Sequence, residues 1–470
     1  MKTYQDLLAK LEKPDELADF LLQSIRDYQA SEMYKWAVEG DAYVRQRNTT
    51  IMRYQKMLYT MAGKAVPDNF AANHKCASNF FSRFIIQENQ YLLGNGVTFN
   101  NEATKDRLGK SFDSMLQRAG EKALACAVSY GFWNFDHLEV FSALEFKPFW
   151  DEVTGELKAG IRFWQIDESK PLRFTLYELD GFTEYIKDKD GIRILTEKQS
   201  YIKNFKYSEA DGLEIRDGES YKSFPIIPLW ANIERQSELV GLKSEIDAYD
   251  LIKSGFANDL DDASMIYWTI TNAGGMDDVD LTKFLERLKT VKAATIEDDV
   301  KAEAHTIDVP YQSRETYLTR LENDMYNDAM ALNVNSISAG NITATAINAA
   351  YEALNNKVDR YEYCVTEFID ALLKLLGIDD EPSFVRSKLV NQAEETQMIL
   401  SAAQYLDTET ILKHLPFLSI DEVDDILDNL TKEESDRFKG VDDGSGTESD
   451  ESGTEEDGKP SEEDIQSGKA

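Results

Sequence analysis

The side chains that most often carry out catalysis are few in this sequence and stand far apart. Its 470 residues include four histidines and three cysteines. No HExxH, CxxC or GxSxG motif occurs. His74 and Cys76 lie two positions apart, which places them on different faces of a helix and argues against a nucleophile–base pair. We therefore predict no catalytic residue and expect that the chain is not an enzyme.

Two groups of aspartates could in principle hold a divalent metal ion, because carboxylates are hard oxygen ligands. They are Asp259, Asp261 and Asp262, and Asp424, Asp425 and Asp428. Runs of this kind usually form a solvated helix face, so we predict no metal and no cofactor. A metal-dependent nuclease that uses Asp259 and Asp262 stays open as an alternative function.

The charge balance argues against several classes of partner. Lys and Arg number 51 against 86 Asp and Glu, which gives a net charge of −35. Wrapping by nucleic acid and docking on anionic membranes both need clustered Lys and Arg, so neither is expected. The cysteines are too far apart for zinc or disulfide spacing, which fits a reducing cytosol. The N-terminus shows no apolar signal core, and no run approaches the roughly 18 apolar residues of a membrane span.

The elements that would position these side chains are mainly helical. Apolar spacing and capping residues predict a helix opened by Asp15, and further helices over 71–93, 101–128, 237–271, 313–332 and 343–376. The last is the longest, and Gly377 is expected to close it. A helix of this length with a heptad-like stripe favours packing against copies of itself, although an intramolecular bundle explains the stripe equally well.

The middle and the end of the chain differ from this helical pattern. Short β-rich runs joined by Asp-Gly turns predict an antiparallel β subdomain over about 130–230. Residues 272–310 read as a small mixed insert with a helix over 280–289 and two short strands. Residues 441–470 carry eleven acidic residues and two lysines, so we predict a disordered acidic tail. The fold class predicted is α+β, mainly α.

Several motifs occur in an order that is typical of one family. They are Asn73-His74-Lys75 with Phe80-Phe81 and Tyr91-Leu92-Leu93-Gly94; Gly160-Ile161-Arg162-Phe163-Trp164; Pro225-Ile226-Ile227-Pro228 with Asn232; Ser237-Glu238-Leu239 with Ile246-Asp247-Ala248-Tyr249-Asp250, Ser254, Asn258, Asp259 and Leu260; and Asn391 through Thr410 to Leu415-Pro416-Phe417. In this order, over about 37–434, the chain resembles the portal proteins, or head-to-tail connectors, of tailed bacteriophages. The type is that of siphoviruses and prophages of Gram-positive bacteria.

The resemblance implies a portal architecture and a ring oligomer. The parts implied are a wing over 1–232 that includes the β-rich subdomain, a first stem helix over 233–271, a clip over 272–310, a second stem helix over 311–332, a tunnel loop over 333–342, the long helix over 343–376, a helical crown over 377–440 and the acidic tail over 441–470. Site residues follow from the same resemblance. They are Asn333, Asn335, Ser336, Ser338, Gly340 and Asn341 in the tunnel loop; Asp277, Asp278, Asp280, Lys283, Arg287 and Lys289 at a clip that docks terminase; and Ile246, Asp247, Tyr249, Asp250, Asn258 and Asp259 in the stem.

The function implied is a ring of about twelve subunits at one capsid vertex, through which double-stranded DNA is packaged and ejected without sequence specificity. The partners implied are the terminase large subunit, head-completion or adaptor proteins, and the major capsid and scaffolding proteins, with no membrane. The location implied is the virion, after assembly in the cytoplasm of a bacterial host. Another structural ring or scaffold subunit of a virion is the alternative closest to this one.

Overall fold

The computed structural model describes most of the chain. The described residues are 2–59, 63–68, 72–189, 191–202, 204–208, 212–216, 220–263, 267–271, 301–305, 311–334, 344–387, 399–403 and 405–415, with the short pieces 423, 426–427, 429–430 and 432. Two units divide the chain, Met1–Lys388 and Leu389–Ala470. None of the described helices is long and apolar enough to cross a bilayer.

Helices account for most of the ordered backbone in the described part. They are α1 (Tyr4–Leu11), α2 (Pro14–Gln29), α3 (Glu32–Val44), α4 (Thr49–Arg53), α5 (Phe80–Leu93), α6 (Glu102–Leu108), α7 (Phe112–Cys126), α8 (Leu239–Ala263), α9 (Tyr311–Asp328), α10 (Ala344–Leu376) and, in the second unit, α11 (Thr408–His414). Asp407 caps α11 by accepting a hydrogen bond from the Thr410 amide at 3.0 Å.

The strands pair antiparallel throughout the described residues. They are β1 (Met57–Tyr59), β2 (Ala65–Pro67), β3 (Val97–Phe99), β4 (Val128–Asn134), β5 (His137–Ser142), β6 (Phe146–Trp150), β7 (Leu157–Trp164), β8 (Leu172–Glu178), β9 (Gly181–Asp188), β10 (Gly191–Gln199), β11 (Asn204–Ser208), β12 (Gly212–Arg216), β13 (Ile226–Trp230), β14 (Tyr267–Thr271), β15 (Lys301–His305) and β16 (Pro382–Phe384). The larger sheets have the orders β10-β9-β8-β7-β6 and β13-β4-β5. This helix-rich fold with antiparallel sheets confirms the predicted α+β class.

The larger hydrophobic core lies where α5, α7 and α10 pack with the three-stranded sheet. Gly120 of α7 marks the closest approach of these helices. A Cβ there would lie 2.1 Å from Asn89 Oδ1 on α5 and 2.2 Å from the Tyr361 hydroxyl on α10. Only the absence of a side chain on α7 therefore allows the three helices to pack this closely.

A second core forms where α1 and α2 cover one face of the five-stranded sheet. Leu21 and Ile25 of α2 are buried there together with Phe149 and Phe174 of the sheet. Lys147 of β6 is fully buried beside this core, where its Nζ donates to the Lys2 carbonyl at 2.9 Å and lies 3.1 Å from the Phe149 ring centroid. Burial lowers the pKa of Lys147 to about 6.

Several helix boundaries differ from those predicted. Helix α2 begins at Pro14, which suits the first turn, so Asp15 lies inside the helix instead of capping it. The predicted helix over 101–128 is two helices, because Gly109 has a φ of 82° and interrupts it. The predicted helix over 71–93 begins only at Phe80, since residues 72–79 have no regular secondary structure.

The helix predicted over 237–271 ends at Ala263, and Tyr267–Thr271 forms a strand paired with Lys301–His305. The β-branched and aromatic sequence Tyr-Trp-Thr-Ile-Thr suits a strand better than a helix. The helix predicted over 313–332 runs over Tyr311–Asp328, and Met330 with a φ of 52° lies beyond its end. The long helix runs over Ala344–Leu376, followed by Gly377 with a φ of 64°.

Candidate functional site

Residues 72–79, which we call the strap, have no regular secondary structure and run along one face of helix α8. Alternate backbone N–H groups of the strap donate to polar side chains spaced one helical turn apart. The bonds join the His74 amide to Asn258 Oδ1 at 2.7 Å, the Cys76 amide to Ser254 Oγ at 2.9 Å and the Ser78 amide to Asp250 Oδ1 at 2.8 Å. The strap thus runs antiparallel to the helix and is bonded to it at every second residue.

Successive hydrogen bonds can form because the strap and helix α8 advance by nearly the same length between one bond and the next. Two residues of extended chain advance about 6.6 Å, and four residues of α-helix advance about 6 Å. Three successive bonds can therefore form with little strain. The acceptors are buried, with Asp250 0 % and Ser254 1 % exposed, so these bonds also satisfy polar groups that would be costly to leave unpaired.

The same face of α8 continues toward α3 and α4. Asp247 accepts bonds from Thr50 Oγ1 and Lys243 Nζ, each at 2.8 Å, and from the Tyr43 hydroxyl. Asn48 donates to Asp250 Oδ2 at 2.7 Å. Burial raises the pKa of Asp250, although its bonds from Asn48 and Ser78 oppose that shift. The face is a polar contact surface that joins α8 to the N-terminal elements.

The six stem residues predicted from the sequence separate into three groups on α8. Asp247, Asp250 and Asn258 lie on the polar face described above. Ile246 is buried in the larger core, and Tyr249 packs edge-on against the Phe80 ring with centroids 5.1 Å apart. Asp259 faces helix α9, which packs against a different side of α8, and pairs there with Arg314. All six side chains therefore anchor α8 within its own chain.

A buried ion cluster centred on Lys357 of α10 was not predicted. The Lys357 ammonium lies 2.8 Å from Glu88 Oε2 of α5 and 2.9 Å from Glu238 Oε2, and it donates to the Ala329 carbonyl at 3.2 Å. Burial raises the pKa of Glu88 to about 7. The positive charge of Lys357 opposes this rise only in part, because Lys357 also pairs with Glu238. The pKa of Lys357 is raised above its usual range by the two carboxylates despite its burial.

Helix α5 holds both described flanks of the predicted tunnel loop. Gln87 donates to the Leu332 carbonyl at 3.1 Å and accepts from the Leu332 amide at 2.9 Å. On the other flank, the Tyr91 ring stacks on Tyr351 of α10 with centroids 5.6 Å apart, and its hydroxyl donates to Asn355 at 2.6 Å. The chain is thus fixed on the same helix before and after residues 335–343.

Part of the predicted site lies outside the described residues. Of the tunnel loop, Asn333 is described, whereas Asn335, Ser336, Ser338, Gly340 and Asn341 are not. Two more predicted groups also lie outside the described residues. They are the clip residues Asp277, Asp278, Asp280, Lys283, Arg287 and Lys289, and the aspartates Asp424, Asp425 and Asp428. Within the part of the chain that is described, no group of three His, Cys, Asp or Glu side chains is arranged to hold a metal ion. His74 Nε2 instead lies 2.5 Å from Asp261 Oδ2.

Comparison with known proteins identifies the class of protein to which this fold belongs. The family described as "Phage portal protein, SPP1 Gp6-like" matches residues 40–437. The chain belongs to this family of phage portal proteins. Members of the family are structural, non-enzymatic virion components, and this chain is a subunit of the portal ring at a capsid vertex.

Individual relatives agree with that assignment. The portal protein of Clostridium phage phiCD119 is 25% identical over 390 residues, which cover 75% of this chain and 83% of the relative. The portal protein of Bacillus phage SPP1 is 22% identical over 407 residues, covering 78% of each chain. A chain of the solved structure "Neck of native GTA particle computed with C12 symmetry" is 10% identical with a TM-score of 0.42, covering 73% of this chain and 91% of that chain.

Proposed function

We propose that twelve copies of the protein form a ring through which double-stranded DNA enters the capsid and later leaves it. The observation that carries this proposal is the family match over residues 40–437, which spans the described helices from the middle of α3 to α11. In this proposal α8 and α9 form the stem, residues 272–310 the clip, residues 333–342 the tunnel loop, residues 377–440 the crown and the N-terminal 232 residues the wing.

The charge of the chain suits a channel that must let DNA slide. Twelve subunits of net charge −35 carry a formal charge of about −420. Acidic groups repel phosphates within a Debye length of roughly 8 Å at physiological salt. DNA would therefore pass without being gripped, and contact with it would fall to uncharged groups such as those of the loop over 333–341.

The tunnel loop narrows the channel in this proposal. The bonds from Gln87 and Lys357 support it, because they fix the chain immediately before the loop, as the Tyr91–Tyr351 stack does after it. Deletion of residues 335–338 should leave rings intact and impair DNA packaging. Normal packaging by rings with this deletion would contradict the proposal.

The clip docks the terminase large subunit and later the head-completion proteins. Its mixed charges, with Asp277 and Asp278 near Lys283 and Arg287 in sequence, suit a polar protein interface. Charge reversal at Lys283 and Arg287 should weaken terminase binding and spare the ring. Loss of the ring instead would show that this segment serves assembly.

The remaining partners and the place of assembly belong to the same proposal. Rings would form in the cytoplasm of the bacterial host together with the major capsid and scaffolding proteins. Mass photometry of the purified chain tests the central claim, because twelve subunits of 53.5 kDa weigh about 640 kDa. A chain that stays monomeric across concentration and salt would count against the ring.

A further inference from the structure

One stretch of this acidic chain is strongly basic. Residues 45–75 contain six Lys or Arg and a single acidic residue, although the whole chain carries −35. The stretch comprises α4, the hairpin of β1 and β2, and half of the strap. The side chains of Arg47 and Arg53 are exposed, and neither makes an ion pair within the described residues. Their positive charge therefore faces solvent.

Apolar side chains are exposed beside these arginines. Met52, Tyr54 and Met57 are each more than 40 % exposed, so the surface combines cationic and apolar groups. DNA phosphates would use the arginines only, whereas a protein partner would use both kinds of side chain. We call Arg47, Arg53, Met52, Tyr54 and Met57 the basic face.

The helix pair α8 and α9 has a net charge of the opposite sign, although Asp247 and Asp250 face the N-terminal elements. Together the two helices carry ten acidic and four basic residues. An apolar groove between them is lined by Ile252, Gly255, Ser313, Arg314 and Tyr317. Asp324 and Asp328 lie on the side of α9 that carries Tyr317, because they follow it by seven and eleven residues.

Three carboxylates lie near the Asp328 end of this helix pair, and one of them, Asp324, pairs with Arg320 at 3.6 Å. Glu245 of α8 lies against Asp328 of α9, and Asp324 is close enough to act on it. Burial, together with these two carboxylates, raises the pKa of Glu245 to about 6. We call the groove with Glu245, Asp324 and Asp328 the acidic face.

The two faces lie on different sides of one subunit. Helix α4 contacts α8 on its polar face, where Thr50 bonds to Asp247 and Asn48 to Asp250. Ile252 follows Asp250 by two residues and points to the far side, because an α-helix turns by about 100° per residue. A closed ring requires two different complementary surfaces on opposite sides of each subunit.

We propose that the basic face of one subunit binds the acidic face of the next copy of this chain. The partner is thus a second copy, chosen by the complementary charges and by the apolar groups exposed on both faces. This inference rests on the proposed ring. It adds which surfaces close that ring, and it predicts that the contact weakens as salt rises.

Two charge-reversal variants test the pairing. Arg47→Glu with Arg53→Glu makes the basic face acidic, and Asp324→Arg with Asp328→Arg makes the acidic face basic. Each variant alone should form at least tenfold less ring than the wild type in mass photometry, because like charges then meet at every contact. An equal mixture of the two should restore rings, in which the variants alternate and native mass spectrometry finds them in equal number.

The controls separate this inference from the proposed function. Glu315→Arg changes an exposed acidic residue on the other side of α9 and should leave rings unchanged. Circular dichroism of each variant checks that it folds. A wild type without rings would count against the portal ring itself.

Two results would overturn the pairing of faces while leaving the ring standing. The first is normal assembly of either variant alone, and the second is a mixture of two folded variants that fails to restore rings. If the variant of Arg47 and Arg53 assembles normally and also loses binding to a DNA duplex, the basic face is assigned to nucleic acid instead.

Discussion

Replacing Glu88 by Gln should change how the stability of the protein depends on pH. Glu88 is fully buried beside Lys357, and its pKa is raised from 4.5 to about 7. Because the folded state binds this proton more tightly than the unfolded state, the wild type loses stability as pH rises from 4.5 to 7. A shift of this size corresponds to about 3 kcal/mol. The side-chain amide in the Glu88→Gln variant has the same shape as the carboxyl group but does not titrate in this pH range.

The stability of the Glu88→Gln variant relative to the wild type should therefore rise by about 2.5 kcal/mol between pH 5 and pH 8, because the first part of the effect falls below pH 5. Urea unfolding at pH 5, 6, 7 and 8 measures this difference directly. The matched control is Glu315→Gln on α9, an exposed glutamate whose difference from the wild type should stay flat. A flat difference for Glu88→Gln would refute the reasoning, because Lys357 would then fully neutralise the buried carboxylate.

Three further substitutions test other parts of the fold. The free energy of unfolding of the wild type should rise by about 3 kcal/mol from pH 7 to pH 9, because in this range Lys147 keeps its proton only in the unfolded state. Lys147→Met should abolish this rise in urea unfolding. An equal gain in the variant would contradict this. Asn258→Leu should speed hydrogen exchange of the His74 amide at least about fivefold, because it removes an acceptor whose loss costs about 1–3 kcal/mol; unchanged exchange would show that the strap is held without this hydrogen bond. Gly120→Ala should cost about 3 kcal/mol in thermal unfolding, because the added methyl meets Asn89 at 2.1 Å; an unchanged midpoint would mean that the helices separate at no cost.

The elements that could be predicted from the sequence are those whose pattern is local. The stripe of apolar residues along α10 and the stop at Gly377 both depend on residues close together in sequence. The predicted start of this helix lies within one residue of the observed one. The strap could not be found this way. The sequence predicts a helix that includes residues 72–79, but three backbone donors there bond to side chains of α8 more than 170 positions away.

In the candidate site, too, the features that could be predicted are those with a local sequence pattern. Asp250, Ser254 and Asn258 recur every four residues, so their common face is visible in the sequence, although its partner is not. Nothing local links Lys357 to Glu88, because their proximity depends on how α5 and α10 pack across the larger core.

The strap also determines how helix α8 would carry a mechanical load. Its three bonds to Asp250, Ser254 and Asn258 stand side by side along the helix. A pull along the helix axis would strain all three at once, so they would have to fail together. A pull that lifts the strap from one end would break them singly and at lower force. Tension applied along α8 would therefore pass into the N-terminal elements before the strap detaches, and pulling single molecules in the two directions would measure that difference.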